Sequence, residues 1–398
     1  MKAVICGAGI AGLALARCLD QRGWQVIVLE QAAGPRGQGY MIDFFGAGWD
    51  AASSMGVLPR IRELGYHVAE AVYVDRAGRR RASLSYHRFA KAVHGGLVSI
   101  MRPDLECALR EGLSTDVELR FATSLSHIDN QPDRVRLTLT DGDILDADLL
   151  VGADGIHSAV RQRVFGPEPR YRRYLGFHTA AFTFEDPAIH ADTRERFCLT
   201  DTIERQMGFY GLRDGRVAVF AVHRAPDPVL PRDARTALRR EYASLGWEVP
   251  RALTACPPSL EVYYDQVAQI EMPGWSRGRV TLVGDACHAV SLLAGQGASL
   301  GIAGAYLLAE QLARTGSIEV ALDRYERLWR PVVLEKQHIA RGMVRWFLPR
   351  SQSQLRARRF TLALARLPGL DRYLAASLAG KPITIIHELG TTGPAPTQ

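Results

Sequence analysis

The sequence predicts an α/β fold: a mostly parallel sheet, an antiparallel sheet inserted into it, and helices at the carboxyl end. Three observations predict it. Residues 2–6 (KAVIC), 11–22 and 25–29 (QVIVL) read as strand, helix and strand, a unit that builds a parallel sheet. Between about 174 and 266 the texture changes to strand-like stretches, GFHTAAFTF, ERFCLTD, RQMGFYGL and RVAVFAVH. At 279 the α/β pattern returns with RVTLVGDACHAV, and from 317 the chain reads as helical and arginine-rich.

The first helix ends at Gly23, which suits a C′ position. Residues 51–69 read as a polar helix. Residues 71–75 and 82–86 read as strands paired across an arginine-rich turn, Arg79-Arg80-Arg81 being its solvated tip. Pro103 and Asp104 favour a helix start, so 103–112 is helical. Segments 117–122, 134–140 and 143–151 read as strands, with Asp141-Gly142 a hairpin turn between the last two. Arg213-Asp214-Gly215-Arg216 marks another hairpin turn. The tail, residues 391–398, has the composition of a disordered end. No internal repeat is visible.

The 398 residues, 47% apolar and 23% charged, are those of an ordinary globular protein large enough to bury a sizeable ligand. The net charge of +7 suits an anionic ligand, a nucleic acid or a membrane surface without choosing among them. No zinc-finger spacing or RNA-binding aromatic motif accompanies the basic runs, which argues against nucleic acid. Six cysteines without a C-x-x-C pair fit reduced thiols and a cytoplasmic location. MKAVICGAGIAGLALARCL could pass for a signal peptide, but its phased glycines favour strand, turn and helix. No apolar run is long enough for a transmembrane helix. Val344 to Leu348 could lie on a membrane surface; packing of a C-terminal helix with solvated arginines is the preferred reading.

Three motifs carry chemistry. Gly7-Ala8-Gly9-Ile10-Ala11-Gly12 follows a strand and opens a helix. Its glycines allow a tight turn, close approach to a diphosphate and close helix packing. The helix N-terminus offers free N–H groups to the phosphates. Glu30, 18 residues beyond Gly12, ends the second strand where a carboxylate can accept ribose hydroxyls. Gly46 to Ala51 also fits GxGxxA but lacks the following strand and acid, so it reads as a turn before a helix. The second motif runs from Leu149 to Arg161, a strand ending in Gly152-Ala153-Asp154-Gly155 with Ser158 near a helix cap. The third is Gly284-Asp285 with His288, followed by the glycine-rich start of a helix near Gly297. Asp285 and His288 lack a third ligand for a metal, so no metal is expected. Ser291 lacks the G-x-S-x-G elbow of a hydrolase.

Together the three motifs resemble the class A flavin-dependent monooxygenases, typified by para-hydroxybenzoate hydroxylase. The resemblance covers roughly residues 1–175 and 265–335. It implies a Rossmann-like FAD-binding domain of that type with an inserted antiparallel-sheet substrate domain and C-terminal helices. FAD binding would then fall to 1–72, 98–175 and 265–335, the substrate domain to 73–97 and 176–264, and the C-terminal helices to 336–390. It implies that Gly7, Ala8, Gly9, Ala11 and Gly12 hold the ADP half of FAD, with Glu30 and Gln31 at its ribose and Arg36 and Arg102 near the cofactor. Asp154 and Arg161 would lie near the pyrophosphate and the nicotinamide approach. Asp285 would meet the ribityl chain, and Gly295, Gly297 and Ala298 the isoalloxazine. His288 is then a turn or packing residue. Leu292 and Ser299 depart from the residues common in the family.

The implied chemistry is the cofactor's own, with no protein residue assigned as catalytic. NADPH or NADH reduces the flavin, O₂ forms a C4a-hydroperoxide, and one oxygen passes to an aromatic ring, or to a ketone in a Baeyer–Villiger variant. The substrate is expected to be an aromatic or polyketide- or antibiotic-like small molecule, as for the related tetracycline-inactivating enzymes. Tyr210, Phe220, His178 and His223 lie on the inserted strands and could meet it, ordinary strand packing being the competing reading. Only about half of a strand's residues can face a cavity. Rival readings are an FAD-dependent reductase or oxidase, a halogenase (without its W-x-W-x-I-P signature), and a non-catalytic FAD-binding protein that shields a ligand. A monomer or homodimer fits equally.

Overall fold

The computed structural model describes residues 1–35, 37–92, 96–292, 295–364 and 383–386. The expected tail, 391–398, and much of the expected 336–390 segment lie outside them.

The first sheet holds β1 (Lys2–Cys6), β2 (Gln25–Leu29), β7 (Glu118–Arg120), β11 (Leu149–Gly152), β17 (Ser276–Arg277) and β18 (Val280–Leu282). Their order is 17-18-11-1-2-7, all neighbours parallel except β17 with β18. The four central strands, β1, β2, β11 and β18, are short, almost wholly buried apolar runs, as strands covered on both faces must be. Helix α1 (Ile10–Asp20) packs on α11 (Gly297–Ala313), which also packs on α2 (Ala47–Ser54) and α12 (Ile318–Phe347). The remaining helices of this half are α3 (Leu58–Leu64), α5 (Arg102–Glu111), α6 (Ala159–Val164) and α10 (Asp285–His288), while α4 (Tyr86–Ala92) packs on the inserted sheet.

The inserted sheet has seven strands in the order 16-12-15-14-13-4-5. They are β4 (Glu70–Val74), β5 (Arg80–Ser85), β12 (Arg172–Glu185), β13 (Arg196–Thr200), β14 (Arg205–Gly211), β15 (Arg216–Arg224) and β16 (Tyr263–Ile270). Pairing is antiparallel except between β13 and β4. One face packs on α8 (Ala234–Tyr242), α9 (Val249–Ala255) and α7 (Pro187–Thr193), burying Met207, Phe209, Val219 and Ala221. The opposite face carries Tyr210, Ala218 and Phe220 and meets a two-stranded ribbon of β3 (Met41–Phe45) and β6 (Leu97–Met101).

Several elements differ from the sequence reading. The helix expected over 51–69 is two, α2 and α3, broken where Gly56 takes φ +73°. The strand expected over 143–151 is two, β10 (Ile144–Ala147) and β11, in different sheets. Asp148 between them accepts the Lys2 N–H at 2.7 Å, which turns the chain from one sheet into the other. The ribbon strands and β8 (Leu125–Asn130), which pairs with β9 (Val135–Leu139), carried no clear periodic signal. Five expected domain boundaries, at 72/73, 97/98, 175/176, 264/265 and 335/336, fall inside β4, β6, β12, β16 and α12.

The run Arg356 to Arg359 is solvated only in part, Arg356 being exposed and Arg358 buried. Helix α13 (Gln352–Leu364) buries Arg358, whose Nη2 donates to Asp201 Oδ1 at 2.7 Å. Both side chains are almost sealed, 3% and 1% exposed. Arg359 also reaches Asp201, and the Arg358 guanidinium lies 4.9 Å over the Tyr73 ring. At the end of α12, Phe347 and Leu348 pack on Phe177 and Val222 of the inserted sheet. No described helix is long and apolar enough to cross a membrane.

Asp201→Ala leaves the Arg358 charge buried without its carboxylate, a loss of about 3–5 kcal/mol. We predict a lower urea midpoint and faster proteolysis of α13, both partly restored by adding Arg358→Met. An unchanged midpoint in Asp201→Ala would refute the latch.

Candidate functional site

The carboxyl ends of β1, β11 and β18 meet at one point, and the glycines there make the meeting possible. Gly7 takes φ +108°, which side-chained residues avoid. A Cβ on it would stand 2.5 Å from the Ala153 carbonyl oxygen, and one on Gly12 would collide with the carbonyl of Gly7 itself. Gly284, at φ +62°, brings the turn after β18 against α1, where its Cβ would stand 2.8 Å from that of Ala11. Ala11 is therefore a spacer between the first and third motifs as well as a first-turn residue of α1.

A cavity of about 170 Å³ opens at this point. Of the residues singled out in the sequence, Gly7, Ala8, Gly9, Glu30, Gln31, Arg102 and Asp154 line it. Arg36 lies outside the described residues. Glu30 reaches across the turn, its Oε2 accepting the Ala8 N–H at 3.0 Å and its Oε1 the Ala32 N–H at 2.9 Å. A carboxylate has about four acceptor sites, so these bonds leave capacity for ligand hydroxyls.

Sequence reading missed Glu106 and Arg110, which also line the cavity. They stand four and eight residues after Arg102 on α5, one face of a helix, so the signal was the spacing itself. Arg102 Nη2 and Glu106 Oε1 are 2.9 Å apart. The β7–β8 turn closes the far wall, its Thr123 N–H bonded to the Glu30 carbonyl at 3.0 Å.

Asp154 caps α6, its Oδ2 accepting the N–H groups of Ala159 and Val160 at 2.7 and 3.0 Å. Among the described residues its Oδ1 is buried without a partner, and burial raises its pKa. Arg161 does not face the cavity as expected. It is fully buried and ties the second motif to the third, donating to the carbonyls of Ala286 (2.8 Å) and Ile156 (2.7 Å).

The third motif forms a neighbouring cluster. Asp285 is open to the cleft, yet the protein around it is dense enough that desolvation raises its pKa, against the lowering influence of Arg102. The first turn of α11 stands beside it, a Cβ on Gly297 lying 3.9 Å from Asp285 Oδ1. Gly295 takes φ +62° in the approach to that helix, and Ala298 is half-buried in its first turn. His288 is buried, packs at a tilt against Trp275 with ring centroids 5.2 Å apart and is held neutral by burial, its pKa down to about 4. That is the packing role expected of it. Ser299 has a local reason: its Oγ accepts the Phe45 N–H at 3.4 Å, and it packs so closely that only glycine fits at position 48.

These features fit FAD. The cradle excludes side chains where a diphosphate needs main-chain N–H groups, two arginines supply positive charge, and Asp154 Oδ1 offers a buried acceptor. Asp285 and the α11 N-terminus extend the site beyond the diphosphate.

The pleat of the inserted sheet divides the four substrate candidates. Tyr210 and Phe220 face the ribbon; the Tyr210 ring stacks on Phe197 at 3.9 Å, and Phe220 lies 6.2 Å from Tyr40. His178 and His223 face the other way, toward α8. His223 Nδ1 lies 3.2 Å from the Tyr242 hydroxyl, and the Tyr264 hydroxyl 3.5 Å from both imidazoles. The structure does not bring these histidines to the cofactor side.

Fold and site together define a flavoprotein with an FAD-binding α/β half and a second sheet over it. The chain matches the FAD binding domain family over residues 1–336 and belongs to it; it is an FAD-dependent monooxygenase. It is 34% identical to an uncharacterized protein of Mycobacterium tuberculosis, across 79% of this chain and 85% of that one. It is 30% identical to a flavin-dependent monooxygenase of an unknown prokaryotic organism, across 85% and 87%. The crystal structure of tetracycline destructase Tet(55) superposes with a TM-score of 0.80 at 27% identity, covering 96% of this chain and 98% of that one.

Two predictions follow from this geometry. Gly12→Ala should weaken FAD binding at least tenfold (about 1.4 kcal/mol), giving a colourless protein; FAD titration followed by flavin fluorescence checks it, and wild-type affinity would sink it. Burial holds His178 neutral and pulls His223 down to about 4 from 6.5. A base whose folded pKa is depressed contributes stability that is whole above the unfolded value and lost as pH falls toward the folded one, here on the order of 3 kcal/mol for His223. Thermal midpoints should fall between pH 6.5 and 4, less steeply in His223→Gln; parallel curves would contradict the assignment.

Proposed function

We propose that this monooxygenase hydroxylates an aromatic, polyketide- or antibiotic-like small molecule, with NADPH or NADH as reductant. The observation that carries the reading is an aromatic group at the junction of the two sheets. Tyr40 lies 6.2 Å from Phe220 and 5.8 Å from Tyr263, and its environment includes Arg102 and Asp285. Burial pushes the Tyr40 hydroxyl up to about 12, so it stays protonated. Planar apolar rings pack well against such a wall.

Bound FAD supplies electron transfer from the nicotinamide and activation of O₂. A substrate C–H becomes C–OH, the second oxygen atom leaves as water, and two electrons come from NAD(P)H. The chain binds and orients. The cradle of Gly7 to Gly12, with Arg102 and Arg110, grips the diphosphate. The partial positive end of α11 favours negative charge on the ring system beside it. The apolar faces of ribbon and inserted sheet keep water out. Six unpaired cysteines, five of them buried, support a cytoplasmic location.

The test is NAD(P)H and O₂ consumption by purified holoprotein against phenols and aromatic polyketides, tetracycline included. At least one compound should accelerate both and yield a product bearing one added oxygen atom. Acceleration by none would refute the proposal. NAD(P)H oxidation without O₂ uptake would favour a reductase.

A further inference from the structure

The mechanism above leaves one half-buried acid, Asp43, unused. Strands β3 and β6 pair with Met41 opposite Met101, Asp43 opposite Ser99 and Phe45 opposite Leu97. Alternation sends Ile42, Phe44 and Ile100 into the core of the FAD-binding half, and Met41 and Met101 against Tyr210 of the inserted sheet. Asp43 therefore stands on the face turned to that sheet. Ser99 Oγ donates to Asp43 Oδ1 at 2.6 Å, and the Tyr86 hydroxyl to Oδ2 at 2.9 Å. Among the described residues no lysine or arginine forms an ion pair with it.

We propose that Asp43, held by Ser99 and Tyr86, takes the proton of a phenolic or enolic hydroxyl on the substrate. This rests on the hydroxylation reading above.

Three observations carry it. First, Asp43 is costly where it is. Burial raises its pKa against the two hydrogen bonds. If it served only to tie α4 to the ribbon, an asparagine could accept from one hydroxyl and donate to the other without a charge to desolvate. Second, Asp43 is only half-buried while Phe44 beside it is sealed, and the pleat places it on the ribbon face turned to the inserted sheet. Third, the ribbon crosses the cofactor end of the site. It begins beside Tyr40, in the aromatic wall, and ends where Phe45 donates to Ser299 in the first turn of α11.

The groups facing Asp43 do not compete for the proton. Tyr86 of α4, Tyr210 of β14 and Tyr73 of β4 are all pushed upward by burial and stay protonated. The charges on that side, Arg213 and Asp104, gather about Tyr66, whose N–H is bonded to the Ser99 carbonyl.

The proton balance closes. The substrate O–H bond breaks, its proton forms an O–H bond on Asp43, and the electron pair enters the ring, making the ortho and para carbons nucleophilic. After oxygen transfer, the ring C–H proton leaves to water and Asp43 returns its proton to the product oxygen. Asp43 touches substrate; Ser99 and Tyr86 are positioning residues.

The experiment uses holoenzyme with 2-naphthol, 1-hydroxyanthraquinone and emodin, each beside its O-methyl ether. We expect the hydroxylated probes, not the ethers, to accelerate NAD(P)H oxidation. Asp43→Asn should retain FAD absorbance, lose about 100-fold or more in kcat with KM changed less than about threefold, and lose the acid limb of the pH–rate profile. Tyr86→Phe removes a donor that stabilises the carboxylate, so its acid limb should move up by about one pH unit. Ethers as active as phenols, or an Asp43→Asn enzyme with wild-type kcat or acid limb, would overturn the assignment. If Asp43→Asn loses FAD, an unmoved limb in Tyr86→Phe overturns it. If no probe accelerates wild-type NAD(P)H oxidation but another aromatic does, Asp43 is tested with that compound and its ether; if none does, the hydroxylation reading falls and this assignment with it.

Discussion

The molecule depends on bare backbone at one place. Three strands of the parallel sheet end together, and the chain leaves each through a glycine or a residue packed on one. Gly7 lies against Ala153, Gly12 against Gly7, and Gly284 against Ala11. Any Cβ at these glycines would separate the motifs by more than a flexible side chain could absorb, because what it meets is main chain or the stub of an alanine. That contact does two things at once. It fixes the relative position of three turns distant in sequence, and it leaves their N–H groups uncovered toward the cofactor. Arg161 locks the arrangement from beneath, its guanidinium bonded to the carbonyl of Ala286.

This explains what could be read in advance. A glycine that must be glycine leaves a mark in a single sequence, and so does an acid at the end of the next strand. Gly7, Gly9, Glu30 and Asp154 were legible for that reason and line one cavity. Glu106 and Arg110 were not, because nothing about a charged residue on a polar helix separates a cavity wall from a solvated face. Their roles appear only when α5 is placed against the turn of β1. Arg161 misled in the opposite sense. The resemblance put it near the pyrophosphate and the nicotinamide approach, whereas the fold buries it completely.

The inserted sheet shows a different limit. Its strands were legible from alternation and hairpin turns, but alternation has two phases, and the sequence does not say which faces the cofactor. Tyr210 and His223 looked alike as candidates. The ribbon of β3 and β6 resolves them, since it covers the face of Tyr210 and Phe220, while α8 covers the face of His178 and His223. The ribbon itself was hidden, five residues per strand, and its one charged position, Asp43, looked like any loop acid.

Net positive charge was equally uninformative until the arginines were located. Much of it serves main-chain carbonyls at junctions between elements rather than any anion. Arg17 bonds the carbonyl of Met55, Arg279 those of Pro132 and Asp148, and Arg277 that of Val164. Carbonyls at the ends of helices and strands lack ladder partners, and a guanidinium with five donors can satisfy several where a lysine reaches fewer. An arginine-rich composition therefore follows from joining two differently built halves through irregular segments. Among the described residues, Arg102 and Arg110, which line the cavity, put that charge where a diphosphate would meet it.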